Sequence, residues 1–411
     1  MAVHEEKPGM KGIMPLAAGV VLTAVACGSP TTTTGPSPSP SEQAYQVLHS
    51  FAGGTTDGAG PSSAGLVQGS DGALYGTTYG GGASDFGTVF KVSADGSLFS
   101  VLHSFTLRDG YHPYAGLVRG TDGAFYGTTL QGGAAGVGTV FKVLANGSFS
   151  ILHNFGGGSS DGANPNASLV QGKDGALYGT TLNGGASGAG TVFKVSADGL
   201  FFSLLQSLDA NSGYSPRAAL VQSTDGVFYG TAYQGGTSGV GTVFKVSADG
   251  SLFSVLHSFA TVNGAYPYAG LVQGSDGAFY GTTAGGGTSN VGTAFKVSAD
   301  ESSLSLLHSF DSLTNGDYPE AGLIQGKDGA FYGTTLQGGV VNCHDQGCGT
   351  VFRISADGSS FSVLHKFAGG TSDGGASNAS LIQGTDGAFY GTTTQGGASD
   401  KGVVFRLSYR P

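Results

Sequence analysis

The side chains able to do chemistry in this chain divide into those that recur at a fixed interval and those that occur once. An Asp precedes Gly at Asp71, Asp122, Asp174, Asp225, Asp276, Asp328 and Asp386. A cation follows Phe at Lys91, Lys142, Lys194, Lys245, Lys296, Arg353 and Arg406. Histidines stand at His49, His103, His153, His257, His308 and His365, with Gln206 in the remaining copy. Single occurrences are Arg108, His112, Arg217 and Glu320. Brought into one pocket with a shifted pKa, such unrepeated groups would make the acid–base site of a polysaccharide lyase or hydrolase. No Gly-x-Ser-x-Gly and no His-Glu-x-x-His is present, so an enzyme would have to assemble its site from distant segments. The recurring cations are either a row of functional charges or scaffold, with stems packed between repeats and heads on turn carboxylates or carbonyls. Scaffold is the expectation, because a residue found in every repeat marks what each repeat needs to fold. Histidines spaced one per repeat lie too far apart to share a metal, so no catalytic or metal role is expected of them.

A third set is aromatic. Tyr111, Tyr114, Tyr214, Tyr266, Tyr268 and Tyr318 fall in loops that also repeat Asp or Asn, Gly and Pro, and Tyr79 and Tyr233 fall in other loops. Exposed Tyr beside Asn and Asp gives rigid contact area plus hydrogen bonds, which suits a glycan or peptide ligand. The alternative is that Tyr-Pro packs each loop on its neighbour. Asp57, Asp109, Asp161 and Asp373 would offer Ca²⁺ a carboxylate, although Asp-Gly is first a turn signal. No other cofactor is indicated. Cys343 and Cys348 share the loop VVNCHDQGCG. A local disulfide is expected in an exported chain. The alternative, a metal on Cys343, His344, Asp345 and Cys348, would need ligands from elsewhere to reach tetrahedral geometry.

The elements that position these residues follow from a period. Tyr-Gly-Thr or its equivalent begins at Tyr75, Tyr126, Tyr178, Tyr229, Tyr280, Tyr332 and Tyr390, at spacings of 51, 52, 51, 51, 52 and 58. One copy reads AGLVQGSDGALYGTTYGGGASDFGTVFKVSADGSLFSVLHSF. It divides into four strand-like runs separated by Ser-Asp-Gly, a glycine-rich loop and Ala-Asp-Gly. Asp-Gly between β-prone runs is a hairpin signal, because the turn needs φ > 0. Four short antiparallel strands every ~50 residues mark propeller blades. A parallel β-helix, with shorter rungs, ranks second. The 77 glycines and the lack of a 3.6-residue pattern argue against helices.

The ends set the blade count. The last copy stops after its third strand, and the missing fourth precedes the first copy as Tyr45–Phe51. All four strand types therefore occur seven times only if the ends join in one blade, which also removes free sheet edges. The expected fold is an all-β, seven-bladed β-propeller over 44–411, with repeats starting near 65, 116, 168, 219, 270, 322 and 380. In such a ring the near-identical tight turns share one face and the variable loops the other, so binding residues are expected on the variable face. The Gly of each Tyr-Gly-Thr is expected to allow close contact between blades.

Residues 10–27, MKGIMPLAAGVVLTAVAC, read as a secretory signal, being short of the ~20 apolar residues of a membrane span. Met1 or Met10 would be the start. Ala24-Val25-Ala26-Cys27 resembles a bacterial lipobox, which implies lipidation at Cys27 and attachment to a membrane; a plain signal peptide is the alternative. Residues 28–43 are Ser/Thr/Pro-rich and read as a tether. Net charge is −10 with no run of Lys or Arg, so no nucleic-acid footprint is present. A monomer is expected.

The repeat itself, GLVQGSDGALYGTT, the Gly-Gly loop, GTVFKVSADG and LHSF, resembles the GloVer tandem repeat of exported bacterial "choice-of-anchor" proteins over residues 44–411. The resemblance implies a surface-displayed propeller with Cys27 as the anchor, and no defined activity. Three readings follow: a binding scaffold for glycan, peptide or protein; a propeller enzyme; or a structural envelope component without ligand.

Overall fold

The computed structural model describes residues 44–61, 65–298, 300–339 and 346–409. The expected signal segment, Cys27, the 28–43 tether and Cys343 lie outside them. Among the described residues the chain is all β, with no helix. Each blade is a four-stranded antiparallel sheet, which in the first blade is joined by a further strand, Gly58–Pro61. In the fifth the strands are Val272–Gln273, Phe279–Thr283, Thr293–Val297 and Leu304–Ser309. Its first turn shows why Asp-Gly recurs: Gly277 takes φ +81°, and Asp276 Oδ1 accepts the Ala278 N–H at 3.1 Å.

The seventh blade is closed as the split repeat requires. Ala44–Ser50 pairs antiparallel with Val403–Ser408, Tyr45 opposite Leu407 and Ser50 opposite Val403. The N-terminal strand also brings Leu48 and Phe51 into the packing between the seventh and first blades. The buried core is accordingly not one mass. It is a ring of separate clusters, each built from two adjacent blades. Between the first two, Tyr75, Val89 and Phe105 meet Leu117, Phe125 and Phe141. The recurring tyrosine is the main linker: Tyr75 stacks on Phe125 at 4.1 Å, and Tyr280 on Phe331 at 3.9 Å.

The glycine after that tyrosine works within its own blade, not between blades. A Cβ on Gly281 would lie 2.6 Å from Phe295 Cζ and 3.0 Å from Leu271 Cδ2, both of the fifth blade. Its bare backbone makes room for the phenylalanine directly opposite it on the third strand. Within this motif it is the tyrosine ring that meets the next blade.

The recurring charges also serve the scaffold. Asp276 accepts from Tyr280 Oη at 2.8 Å and pairs with Lys296 at 2.8 Å. The same triad forms at Asp71, Asp122, Asp174, Asp328 and Asp386. The fourth blade departs from it. A Cβ on Gly274 would fall 2.7 Å from the Tyr280 ring and 2.8 Å from Asp276 Oδ1. In the fourth blade that position is Ser223, whose Cβ crowds the triad. Tyr229 there donates instead to Glu301 at 2.6 Å, and Lys245 pairs with Glu301 rather than with Asp225. Glu301 comes from the fifth blade's third turn, where it adopts φ +62° at a position that is glycine in five other repeats, at Gly96, Gly147, Gly199, Gly250 and Gly358.

On the outer strands a register slip in every blade forms a β-bulge, as between Val89 and Phe90 in the first. The histidine beside it bridges blades. His49 stacks on Phe99 at 3.7 Å, and its Nε2 lies 3.2 Å from Asp57 Oδ1. Asp57 also accepts the Ala52 and Gly58 N–H groups at 2.8 and 2.7 Å. Burial alone would raise the Asp57 carboxyl; the bonds from His49 and Ala52 outweigh it and hold the pKa below its ordinary value. The lone pairs a Ca²⁺ ion would need at Asp57 thus face donors. Asp109, Asp161 and Asp373 hold His103, His153 and His365 in the same way.

Candidate functional site

The variable face is built from the loops that lead into each first strand. Near the end of each, one residue takes a left-handed backbone: Gly60 (+57°), His112 (+54°), Asn164 (+58°), Ser215 (+54°), Tyr266 (+59°), Tyr318 (+50°) and Ala376 (+56°). All but Ala376 precede a proline, a place where this conformation is costly. Its recurrence has a cause. The N–H of this residue bonds the preceding blade, as Tyr266 to Val240 O at 2.7 Å, while its carbonyl accepts from its own blade, as from Ala284 N at 3.0 Å. The loop is thereby clamped between two blades, and the residue two positions on is fixed.

That next position is where the repeats diverge. It is Tyr114, Asn166, Arg217, Tyr268, Glu320 and Asn378 in the second to seventh blades; in the first blade it lies outside the described residues. Asn166, Arg217, Tyr268 and Glu320 line a cavity of about 370 Å³ together with first-strand residues of all seven blades, among them Leu66, Leu117, Val170, Val221, Val272, Ile324 and Ile382. This cavity is the central channel, and the divergent position forms its mouth. A larger open hollow of about 660 Å³ lies between the seventh and first blades, but its Asp71, Asp386, Tyr390 and Arg406 belong to the repeated triads. We therefore set it aside as a site.

Across the mouth, Tyr114 and Tyr268 meet hydroxyl to hydroxyl at 3.1 Å. The Arg217 guanidinium lies against two rings set at right angles, 4.6 Å from the centre of Tyr233 and 5.1 Å from that of Tyr268, and Nη1 donates to Tyr268 Oη at 3.4 Å. Its Nε is buried and has no partner, as are Asn166 Oδ1 and Asn378 Oδ1. Burial pushes the Glu320 carboxyl up to about 7 against the pull of Arg217. Burial, with Tyr114 and Glu320 nearby, also raises Tyr268.

Six of the eight sequence-derived tyrosines form one connected aromatic group, and Tyr214 and Tyr318 stand apart from it. Tyr114, Tyr233, Tyr266 and Tyr268 gather with Arg217, with the Tyr233 and Tyr266 rings packed at a tilt, 5.3 Å between centres. Tyr79 joins them edge-on to Tyr114 at 6.4 Å and stacks on His112 at 4.0 Å, and Tyr111 lies edge-on to His112 at 4.9 Å and packs on Phe86 at 5.1 Å. Tyr214 lies beside Asp209 and Asn211, and Tyr318 beside Leu313 and Asp317, in two separate surface hollows. Of the unrepeated charged groups, Arg217 and Glu320 enter the channel. Arg108 stays exposed at a loop tip, and His112, its pKa lowered by burial, sits under Tyr79. Asn166 and Asn378 escaped the residue-by-residue reading. Their signal was positional: each stands just before the recurring alanine that leads into a first strand, in a column that varies from repeat to repeat.

The repeat that builds this ring also places the chain among known sequences. The Gloeobacter/Verrucomicrobia repeat matches residues 37–223, 143–344 and 324–410. The chain belongs to the Gloeobacter/Verrucomicrobia repeat family. No curated protein matches it. Among solved structures, this family member resembles the extracellular domain of a hybrid two-component system from B. thetaiotaomicron, with TM-score 0.57 and 10% identity, over 88% of this chain and 40% of that one. The chain thus spans about 40% of that neighbour's length. It also resembles an oligogalacturonate lyase from Vibrio parahaemolyticus, with TM-score 0.50 and 11% identity, over 90% of this chain and 97% of that one. At these identities the likeness is one of fold.

Proposed function

We propose that this chain is an exported, surface-displayed propeller that binds a glycan at the channel mouth on its variable face. The observation that carries the reading is the divergent position. Seven blades repeat their scaffold nearly residue for residue, yet the side chains at the mouth are polar and differ from blade to blade. Buried polar atoms without partners cost stability, so a row of them is better explained by a ligand than by folding. Anchoring through lipid on Cys27 and the 28–43 tether completes the proposal, with a plain signal peptide as the alternative. Cys348 is buried and disulfide-bonded; Cys343 is its proposed partner. The protein is proposed to act as a monomer and without a cofactor.

A glycan-array screen of the chain, with and without Ca²⁺, tests the reading. Reproducible binding that is lost in Tyr268→Ala supports it. Silence across the array would point to a ligand-free envelope component. Glu320 supports a second reading, that of a propeller enzyme: a carboxyl poised near neutral pH beside Arg217 is suited to proton transfer. Product formation from a bound glycan, abolished in Glu320→Gln, would establish that reading over simple binding.

A further inference from the structure

Resting on the glycan reading above, we propose that the channel mouth selects a sugar acid, a uronate-type residue whose carboxylate is taken by Arg217 and whose neighbouring hydroxyl donates to Asn166.

Arg217 differs from the recurring cations of the third strands. Those cations are paired with carboxylates. Among the described residues Arg217 makes no ion pair. Its one hydrogen bond is the long one to Tyr268, and its buried Nε has no acceptor. The Tyr233 and Tyr268 rings, set at right angles to each other, pack against the guanidinium and hold the planar fork in place, so little side-chain entropy remains to be lost when a carboxylate binds. A fork with donors to spare favours a bidentate acceptor, and a carboxylate fits it.

Asn166 stands at the adjacent ring position. It is 6% exposed and lines the same cavity, and its Oδ1 lacks a donor. A ligand filling both needs must present an acceptor pair and a hydroxyl side by side. A sugar acid does so, with further hydroxyls for Tyr114 and Tyr268. A cavity of about 370 Å³ lies within the range of small-molecule sites. A peptide C-terminus also offers a carboxylate, but tight peptide capture relies on an accessible sheet edge or a series of side-chain pockets. Here the first strands are two residues long and face a closed channel.

Glu320 adds a pH signature. The charged or titratable groups that interact with it are Arg217 and Tyr268. When neutral, Glu320 does not oppose an incoming carboxylate; when ionised, it does. Affinity for a sugar acid therefore falls as pH rises through about 7.

Calorimetry on the full chain, with oligogalacturonides, matched neutral galacto-oligosaccharides and short peptides with free C-termini, tests the proposal. The expected result is at least ~10-fold tighter binding of the acidic sugar, a loss of that margin in Arg217→Gln, and weaker binding at pH 8 than at pH 6 that disappears in Glu320→Gln. A single cooperative melting transition shows that each variant is folded; should Arg217→Gln not fold, Asn166→Ala replaces it and is expected to weaken the acidic sugar several-fold. Equal affinity for acidic and neutral sugars overturns this inference and leaves the glycan reading standing. Binding of peptides alone, or of nothing, overturns both.

Discussion

The two faces of this ring each present one position that recurs around the channel, and they treat it in opposite ways. On the face of tight turns the position is Asp, joined to Tyr and a cation in six blades, and the exception is repaired by Glu301. On the face of long loops it is Tyr, Asn, Arg, Tyr, Glu and Asn. The geometry beneath is equally regular on both faces, since the left-handed residue before the divergent position recurs in all seven blades. Fixed backbone with fixed side chains is scaffold. Fixed backbone with divergent side chains is a platform on which chemistry varies without disturbing the fold.

The largest effect should come from breaking the frame that both faces share. Deleting residues 44–51 removes the strand that closes the seventh blade, with buried Leu48 and Phe51. Truncating a buried Phe alone costs about 3–5 kcal/mol, so the deletion should lower the melting temperature of the whole ring in calorimetry. A melt like that of the intact chain would falsify closure by this strand.

Next comes Glu320, where the faces should differ in sign. Its folded pKa, about 7, lies above the ordinary value of 4.5. The folded state therefore holds its proton more tightly than the unfolded one, and the group's contribution to stability falls as pH rises from 4.5 to 7. Glu320→Gln should accordingly stabilise the protein at pH 8 relative to pH 4.5, by up to about 3 kcal/mol. Denaturant titrations at the two pH values measure this, and a destabilised variant at pH 8 would remove the case for an uncompensated carboxyl. On the scaffold face, Asp276→Ala should destabilise at pH 7 by about 1–2 kcal/mol, because the Tyr280 hydroxyl and Lys296 lose their acceptor.

The smallest effect is the most specific. Glu301→Gly should cost about 1 kcal/mol, since Tyr229 and Lys245 lose their partner. In a Ser223→Gly background the cost should shrink, because Asp225 is then free to complete the usual triad. A double-mutant cycle reads the coupling directly. Additive effects would show that Ser223 is not what displaces Asp225.

The strands and their closure were legible because they depend on short-range pattern. Asp-Gly turns, alternating strand residues and a split repeat are local features, and the blade count follows from them. The glycine of Tyr-Gly-Thr was misplaced because a sequence cannot tell whether the ring that needs space belongs to the next strand or the next blade. The aromatic set was legible as residue types but not as a grouping: Tyr111 and Tyr114, three residues apart, pack on different partners.

The sequence by itself determined the repeat, the ring and the face on which variation is allowed, because one folding unit copied seven times must satisfy the same local rules each time. Only the tertiary structure decided which of the varying residues meet. Tyr114 and Tyr268 are 154 residues apart and touch because closure directs one position of every blade to a common axis. The same convergence buries Glu320 and Asn166 and sets Arg217 among tyrosines. Burial and company of this kind are properties of the closed ring, and no single repeat contains them.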